Sequence, residues 1–169
     1  PVAGNVTGTY RDTWGDDGDE QSIQETLSAG NKNSRYGYLE HKWLFQVNPG
    51  EAVELFADVR TTTTSDAFTF AYSTDDSNYV GMFTIDTSSS GAQQFRLPPS
   101  LSGTVYVRVR DNVRTAGEDS SHSVMVDQLL IRSESDAAPP PPPPPSAPSG
   151  LSAAALGTDA IRLEWVDNA

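Results

Sequence analysis

The chain has 169 residues, with 11 lysines and arginines against 23 aspartates and glutamates, so its formal net charge is −12. This charge repels phosphate backbones and anionic lipids, which argues against nucleic acid and membrane surfaces as partners, and because no stretch approaches the length of a membrane span we expect no membrane insertion. The sequence has no cysteine, which excludes disulfides, cysteine-ligated zinc and thiol catalysis.

Alternating apolar residues predict a series of β-strands along most of the chain. Residues 21–27 favour a strand over a single helical turn, and between Leu39 and Val47 every second side chain is suited to a core. The same alternation occurs in residues 51–61, 66–76, 79–86, 93–97, 103–112 and 122–133. Seven or eight strands without an amphipathic helix predict an all-β fold, an antiparallel β-sandwich that is jelly-roll-like; periodicity does not distinguish a plain sandwich from a jelly roll.

The composition changes after Ile131. A polar stretch leads into seven consecutive prolines, Pro139 to Pro145. Proline fixes φ and has no amide hydrogen, so this run predicts a polyproline II spacer of roughly 20 Å. A docking peptide for a proline-recognition domain is the alternative interpretation.

Residues 148–169 resemble the start of a fibronectin type III domain. The resemblance rests on Pro148, Leu151 and the alternating run Ile161, Leu163 and Trp165. It implies that Trp165 is a core residue of such a domain and that the chain is a piece of a longer, multidomain protein. The predicted organisation is a sandwich module in residues 1–133, a linker in 134–147 and a truncated fibronectin-like start in 148–169.

The sequence shows no motif for catalysis. His41 alternates with Leu39 and Trp43, which predicts a structural, hydrogen-bonded histidine, and Trp43 is predicted to be a core residue. His122 follows two serines and is predicted to be solvated. No Gly-x-Ser-x-Gly or His-Glu-x-x-His motif occurs. We therefore expect this chain not to be an enzyme and not to hold a zinc site of its own.

Acidic residues are concentrated between Arg11 and Glu25. Calcium takes six to eight oxygen ligands, often from loop carboxylates and carbonyls, and Gly15 and Gly18 allow such a loop to bend. A solvated acidic loop is the alternative. Asp127 interrupts an apolar strand and needs a partner, which would be an ion or one of the arginines Arg108, Arg110 and Arg114.

Residues 2–133 resemble the β-sandwich accessory modules of secreted bacterial hydrolases, including carbohydrate-binding modules. The stretches that carry the resemblance are YLEHKW, FAYSTDD, GTVYVRVRD and VMVDQLLIR, in that order. The resemblance implies a secreted or cell-surface protein whose neighbouring domains are covalently linked. It also implies a structural Ca²⁺ held by Glu25, with Glu20 as a further ligand, and by Asp127 near the end of the fold.

Exposed aromatic rings are the candidate ligand-binding residues, because the face of a sugar ring stacks on them. The candidates are Trp14 in the acidic loop, Tyr36 and Tyr38 on the polar face of their strand, Tyr79 at a predicted hairpin, and the outward stripe Tyr106, Arg108 and Arg110. Arginine also pairs with carboxylated sugars. Ordinary packing under loops is the alternative for each ring.

The predicted function is thus a non-catalytic carbohydrate-binding module that targets an attached enzyme to a polysaccharide or glycan. The alternative is a structural or protein-adhesion module of a secreted or cell-surface protein.

Overall fold

The computed structural model describes residues 2–62, 66–86, 91–117, 120–134 and 149–166. The chain divides into two compact units, Pro1–Asp136 and Ala137–Ala169. The described residues form β-strands and a single short 3-10 helix, Tyr10–Thr13, which confirms the predicted all-β class. None of their helices has the length and apolar character that a bilayer crossing requires.

The first unit contains eleven strands in its described residues. They are β1 Asn5–Thr7, β2 Gln21–Gln24, β3 Thr26–Leu27, β4 Gly37–Tyr38, β5 Glu40–Val47, β6 Ala52–Thr61, β7 Phe68–Ser73, β8 Val80–Ile85, β9 Gly91–Leu97, β10 Gly103–Asp111 and β11 Ser123–Glu134. The early strand predicted in residues 21–27 is confirmed as β2 and β3, which Glu25 separates.

Two antiparallel sheets form the sandwich. The front sheet has the order β5-β10-β7-β8, and the back sheet has the order β1-β2-β11-β6-β9. Strands β3 and β4 form a separate pair. The predicted antiparallel β-sandwich is confirmed, because the strands paired in these sheets run in opposite directions.

The core lies between the inner faces of these sheets. Strand β6 buries every second residue from Val53 to Val59, and β10 does the same from Val105 to Val109. Phe68 and Phe70 are fully buried, and each large apolar side chain buried in this way stabilises the fold by about 1.5–3 kcal/mol. Trp43 is a core residue as predicted, with its ring stacked 6.1 Å from that of Phe70.

A β-bulge interrupts the long last strand of the sandwich. The register of β11 against β6 shifts between Val126 and Gln128, so that Asp127 is the extra residue. Before the bulge Val124 and Val126 are buried, and after it Leu129 is buried. The bulge therefore explains why the strand does not alternate evenly and why a carboxylate occurs within it.

The second unit is described as a hairpin of β12 Ser149–Ala155 and β13 Ile161–Val166. All its described side chains are exposed, including Trp165, for which the sequence predicts a core role in an intact domain. The predicted linker, apart from Glu134, and Pro148 lie outside the described residues.

Candidate functional site

The outer face of the front sheet carries a row of polar and aromatic side chains. On β10, buried valines alternate with Tyr106, Arg108 and Arg110, which face away from the core. Their neighbours on the edge strand β5 are fixed by register: Tyr106 lies opposite Leu44, Arg108 opposite Lys42 and Arg110 opposite Glu40.

Two further tyrosines extend this row. Tyr38 precedes buried Leu39 and so faces outward with Glu40, and the ring of Tyr36 lies 5.9 Å from that of Tyr38. Tyr38 lies at the end of β4, separated by one residue from the start of β5, so it borders the Glu40 end of the outer face, whereas Tyr106 lies opposite Leu44 further along β5. Aromatic groups therefore occur at two places along the outer face.

The centre of the face holds a network around Tyr79. The guanidinium of Arg108 lies 3.6 Å from the centroid of the Tyr79 ring. The Tyr79 hydroxyl donates to the carboxylate of Asp76, and Lys42 Nζ lies 2.6 Å from the same carboxylate. The bond from Lys42 lowers the pKa of Asp76, while desolvation raises the pKa of Tyr79. The network holds Arg108 and Tyr79 in one arrangement without a ligand.

The turn that carries Tyr79 is the hairpin predicted between β7 and β8, and this prediction is confirmed. The Asp75 carboxylate accepts backbone hydrogen bonds from Ser77 (2.9 Å) and Asn78 (2.7 Å), which lowers its pKa, the Asn78 amide contributing most. Asp76 has a φ of 56°, a conformation that aspartate tolerates better than most residues. Turn chemistry thus positions both Asp76 and Tyr79.

Six of the seven predicted ligand-binding residues therefore lie on or beside one face. We call this set the outer-face platform: Tyr36, Tyr38, Tyr79, Tyr106, Arg108 and Arg110. None of them is buried, and the tyrosines are half-buried.

Trp14, the seventh predicted residue, lies elsewhere, in a cleft along the β5 edge of the sandwich. Its exposed ring lies 5.8 Å from that of Tyr10, which the sequence reasoning missed. We call the site the edge cleft. It has a volume of about 510 Å³, and its lining includes Tyr10, Trp14, Lys42, Leu44 and Gln46, with His41 and Trp43 at the floor.

The 3-10 helix fixes these two rings. Thr9 and Asp12 form a capping box, in which the Asp12 carboxylate accepts from the Thr9 amide at 2.8 Å. Thr13 is buried and donates to the carbonyl of Tyr10, and Trp14 forms a bridge with Gln128 of the back sheet. The Thr-x-x-Asp spacing is the sequence signal that would have revealed the helix and Tyr10.

His41 is buried beneath the edge cleft, as predicted from its alternation. Its ring packs edge-on against Trp43, with 4.5 Å between the centroids. Burial lowers the pKa of His41 to about 4, so the imidazole is neutral at pH 7. The sequence also predicts that His41 is hydrogen-bonded, but its buried Nδ1 has no hydrogen-bond partner among the described residues.

His122 lies between two buried carboxylates, so the prediction of a solvated side chain is wrong. Its Nδ1 lies 3.3 Å from Asp66 Oδ2 and 3.4 Å from Glu25 Oε2. The His122 amide also donates to Glu25 Oε2 at 2.9 Å. We call Glu25, Asp66 and His122 the carboxylate–histidine cluster. It is the only group of this kind that the described residues contain whose donor atoms could together hold a metal ion.

The structure does not bring together the three metal ligands that the sequence suggested. Glu25 belongs to the carboxylate–histidine cluster, whereas Glu20 forms a bidentate pair with Arg60 at 2.6 and 2.8 Å. Asp127 accepts from the backbone amides of Asp17 and Gly18 at 3.2–3.3 Å. Among the described residues, the hydrogen-bond donors at Asp127 are therefore backbone amides, and none of the suggested arginines donates to it.

Comparison with solved structures identifies the fold. The chain resembles TmCBM61, a carbohydrate-binding module solved in complex with β-1,4-galactotriose, with a TM-score of 0.50 and 10% identity over 79% of this chain and 83% of that one. Less similar are a family 29 carbohydrate-binding module (TM-score 0.45, 10% identity, 82% and 80% covered) and the CBM22-1 xylan-binding domain from Paenibacillus barcinonensis (0.40, 15%, 80% and 98%).

The first unit thus has the β-sandwich fold that TmCBM61 also has. No protein-family model matches the sequence, and no curated protein matches it.

Proposed function

We propose that the sandwich is a non-catalytic module that binds a polysaccharide through the outer-face platform. The observation that supports this proposal is that the six side chains of the platform come together from distant parts of the sequence. Four tyrosines and two arginines, from Tyr36 to Arg110 in the sequence, lie on or beside one face of one sheet. Core packing does not require these side chains to share a face, because none of them is buried.

The chemistry of the platform suits a glycan. Tyrosine offers a flat apolar ring for the face of a sugar and a hydroxyl for hydrogen bonding. Arg110 is exposed, and its guanidinium has five N–H donors for sugar hydroxyls or carboxylates. The ion pairs of Lys42 with Asp76 and of Arg108 with Glu40 hold the centre of the face in place, so less ordering is needed on binding.

The wider role that we propose is targeting. A module of this kind, secreted or on the cell surface and linked to a catalytic domain, would hold that domain at its insoluble substrate and raise the effective concentration. The proline run and the resemblance of residues 148–169 to a fibronectin type III start support a modular protein of this type.

Affinity electrophoresis in gels containing a soluble polysaccharide tests the binding proposal. We would use β-1,4-galactan first, because TmCBM61 was solved in complex with β-1,4-galactotriose, and xylan and mannan to complete the panel. We expect at least one polysaccharide to retard the protein, and Tyr106→Ala to weaken that retardation by about tenfold or more, a change of ~1.4 kcal/mol.

The matched control is Phe56→Ala. Phe56 lies on β6 of the back sheet, where its partly buried ring alternates with buried residues, as the ring of Tyr106 does on β10 of the front sheet. Phe56→Ala should migrate like the wild type. If no polysaccharide in the panel retards the protein, or if both variants lose retardation equally, the proposal fails and the protein-adhesion alternative gains support.

We also propose that the carboxylate–histidine cluster holds a structural cation. Two buried carboxylates beside an imidazole suit a divalent ion, which would neutralise their charge. Calcium prefers oxygen ligands, whereas an imidazole nitrogen suits zinc-like ions, so both should be tested.

Thermal unfolding in calcium, in zinc and in chelator decides this point, because an ion that binds the folded state raises the melting temperature. Asp66→Asn should abolish the rise, and Glu20→Gln, outside the cluster, should retain it. The cation proposal is wrong if the midpoint of the wild type is the same in all three solutions.

A further inference from the structure

The edge cleft collects most of the exposed apolar side chains of the sandwich. In the described part of the first unit, five large apolar side chains are more than half exposed: Val2, Tyr10, Trp14, Leu44 and Val80. Tyr10 (56%), Trp14 (63%) and Leu44 (58%) all line this cleft. Such clustering of exposed rings in one concave site is typical of a binding site.

The backbone that carries the two rings is held by several contacts. The capping box, the bond from Thr13 to the Tyr10 carbonyl and the bridge from Trp14 to Gln128 fix the backbone on which they stand. A ligand that stacked on Trp14 would therefore need to order little of the protein.

Polar groups surround the rings. Lys42 has three donors and is hydrogen-bonded to Asp76 and Tyr79, and the side-chain amide of Gln46 donates to Thr104 at 3.0 Å. Below them lies the buried Nδ1 of His41, which has no hydrogen-bond partner among the described residues. The cleft thus combines an apolar wall with hydrogen-bonding groups, the combination that sugar rings require.

The cleft is continuous with the outer-face platform. Leu44 lines the cleft and lies directly opposite Tyr106 of the platform, a separation of about 5 Å between neighbouring strands. Lys42 likewise lines the cleft and takes part in the network around Tyr79. A single glycan chain that crosses β5 would contact both.

We infer that the edge cleft is a second sugar subsite, in which a sugar ring stacks on Trp14 beside Tyr10, and that it extends the binding surface of the platform around the β5 edge. This inference rests on the proposed function. A volume of about 510 Å³ is within the range of small-molecule sites, about 300–1,000 Å³, and suits a short segment of a glycan chain.

The test compares Trp14→Ala with Trp165→Ala, which removes an exposed tryptophan of the second unit as a matched control. On the polysaccharide that retards the wild type most, Trp14→Ala should weaken binding by about tenfold and Trp165→Ala should not change it. The change in tryptophan fluorescence on adding the polysaccharide should persist in Trp165→Ala and be lost in Trp14→Ala. Tyr10→Ala should repeat the weakening if Trp14→Ala proves unstable.

The outcomes separate the two proposals. If Tyr106→Ala weakens binding and Trp14→Ala does not, the cleft is not a subsite and the platform proposal stands. If only Trp14→Ala weakens binding, the platform proposal fails, and with it the inference that the cleft extends the platform. Aromatic grooves also bind polyproline helices, so a decaproline peptide is a further probe. A fluorescence response to that peptide and to no polysaccharide would overturn the assignment of the cleft to sugars.

Discussion

The two histidines of the chain lie in contrasting surroundings. His41 packs against the Trp43 ring under the edge cleft, and burial lowers its pKa to about 4. His122 lies at 3.3–3.4 Å from two buried carboxylates, Asp66 and Glu25. The same side chain thus serves once as a neutral packing group and once as a link between acids.

The difference teaches that the partner, rather than burial alone, decides how a polar group affects stability. The buried His41 ring, without a carboxylate beside it among the described residues, favours its neutral form, whereas the His122 ring nitrogen lies within 3.4 Å of two buried carboxylates and is a polar partner for them. Mutation and pH should therefore change the free energy of unfolding differently in the two regions. Substitutions that affect carboxylates with weaker partners should cost less than changes at either histidine.

The largest effect is expected for His122→Ala. It removes the ring nitrogen between two buried carboxylates, and taking away one partner of a buried polar group typically costs about 1–3 kcal/mol, and more where that group is charged. Urea unfolding in the presence of chelator measures the loss without any contribution from a bound cation. His122→Gln, which keeps a donor group, should lose less. A loss under about 1 kcal/mol for the alanine variant would show that the cluster does not depend on the imidazole.

The pH dependence of His41 should come next. Its folded pKa of about 4 lies below the unfolded value of 6.5, so the unfolded state binds a proton first as the pH falls. Stability from this residue is therefore complete above about pH 6.5 and is lost towards pH 4, a loss of about 3 kcal/mol. Urea unfolding of the wild type and of His41→Gln from pH 7 to 4 should show a shallower decline in the variant. Parallel curves would contradict the assignment.

A smaller loss is expected at the bulge. Asp127→Ala removes the acceptor for the amides of Asp17 and Gly18, worth about 1 kcal/mol for a hydrogen bond of ordinary strength. The loss is reduced because the pKa of Asp58 is raised by desolvation, by repulsion from Asp16 and, less strongly, by repulsion from Asp127, which the substitution removes. Asp16→Ala, which removes another charge near Asp58, is the control and should not destabilise the fold. Equal urea midpoints for Asp127→Ala and the wild type would mean that the loop does not need this anchor.

The smallest effect on stability is expected for Lys42→Met. Its ion pair with Asp76 lies at the surface, where solvent and salt screen the attraction. The urea midpoint should hardly change, whereas polysaccharide retardation should fall because Lys42 borders both the platform and the cleft. A clear drop in stability with unchanged retardation would mean that Lys42 stabilises the fold and does not take part in polysaccharide binding.

Much of the fold could be predicted from alternation. The even spacing of apolar residues around Trp43 on β5 and from Val53 to Val59 on β6 indicates strands with one buried face. The positions of Tyr106 and Arg108 on an outer face follow from the same period. Which strands lie side by side does not follow, because pairing depends on contacts between residues far apart in the sequence.

Two kinds of contact in the candidate site could not be predicted: contacts between residues far apart in the sequence, and hydrogen bonds from backbone amides. Asp66 is 56 residues from His122, and no local pattern joins them. Asp127 is satisfied by backbone amides, which have no signature in the side-chain sequence. The position of Tyr10 on the short helix could have been predicted, because the Thr9–Asp12 capping box is a local pattern.

The place of β11 in the back sheet has a consequence for how the protein folds. This strand, Ser123–Glu134, is the last of the sandwich in sequence, yet it lies in the middle of its sheet between β2 and β6. The first strands to be synthesised therefore gain a long-range partner only after nearly the whole unit has been made. Such non-local pairing predicts slow folding, on the order of milliseconds to seconds, and a sheet that assembles after synthesis of the unit rather than during it.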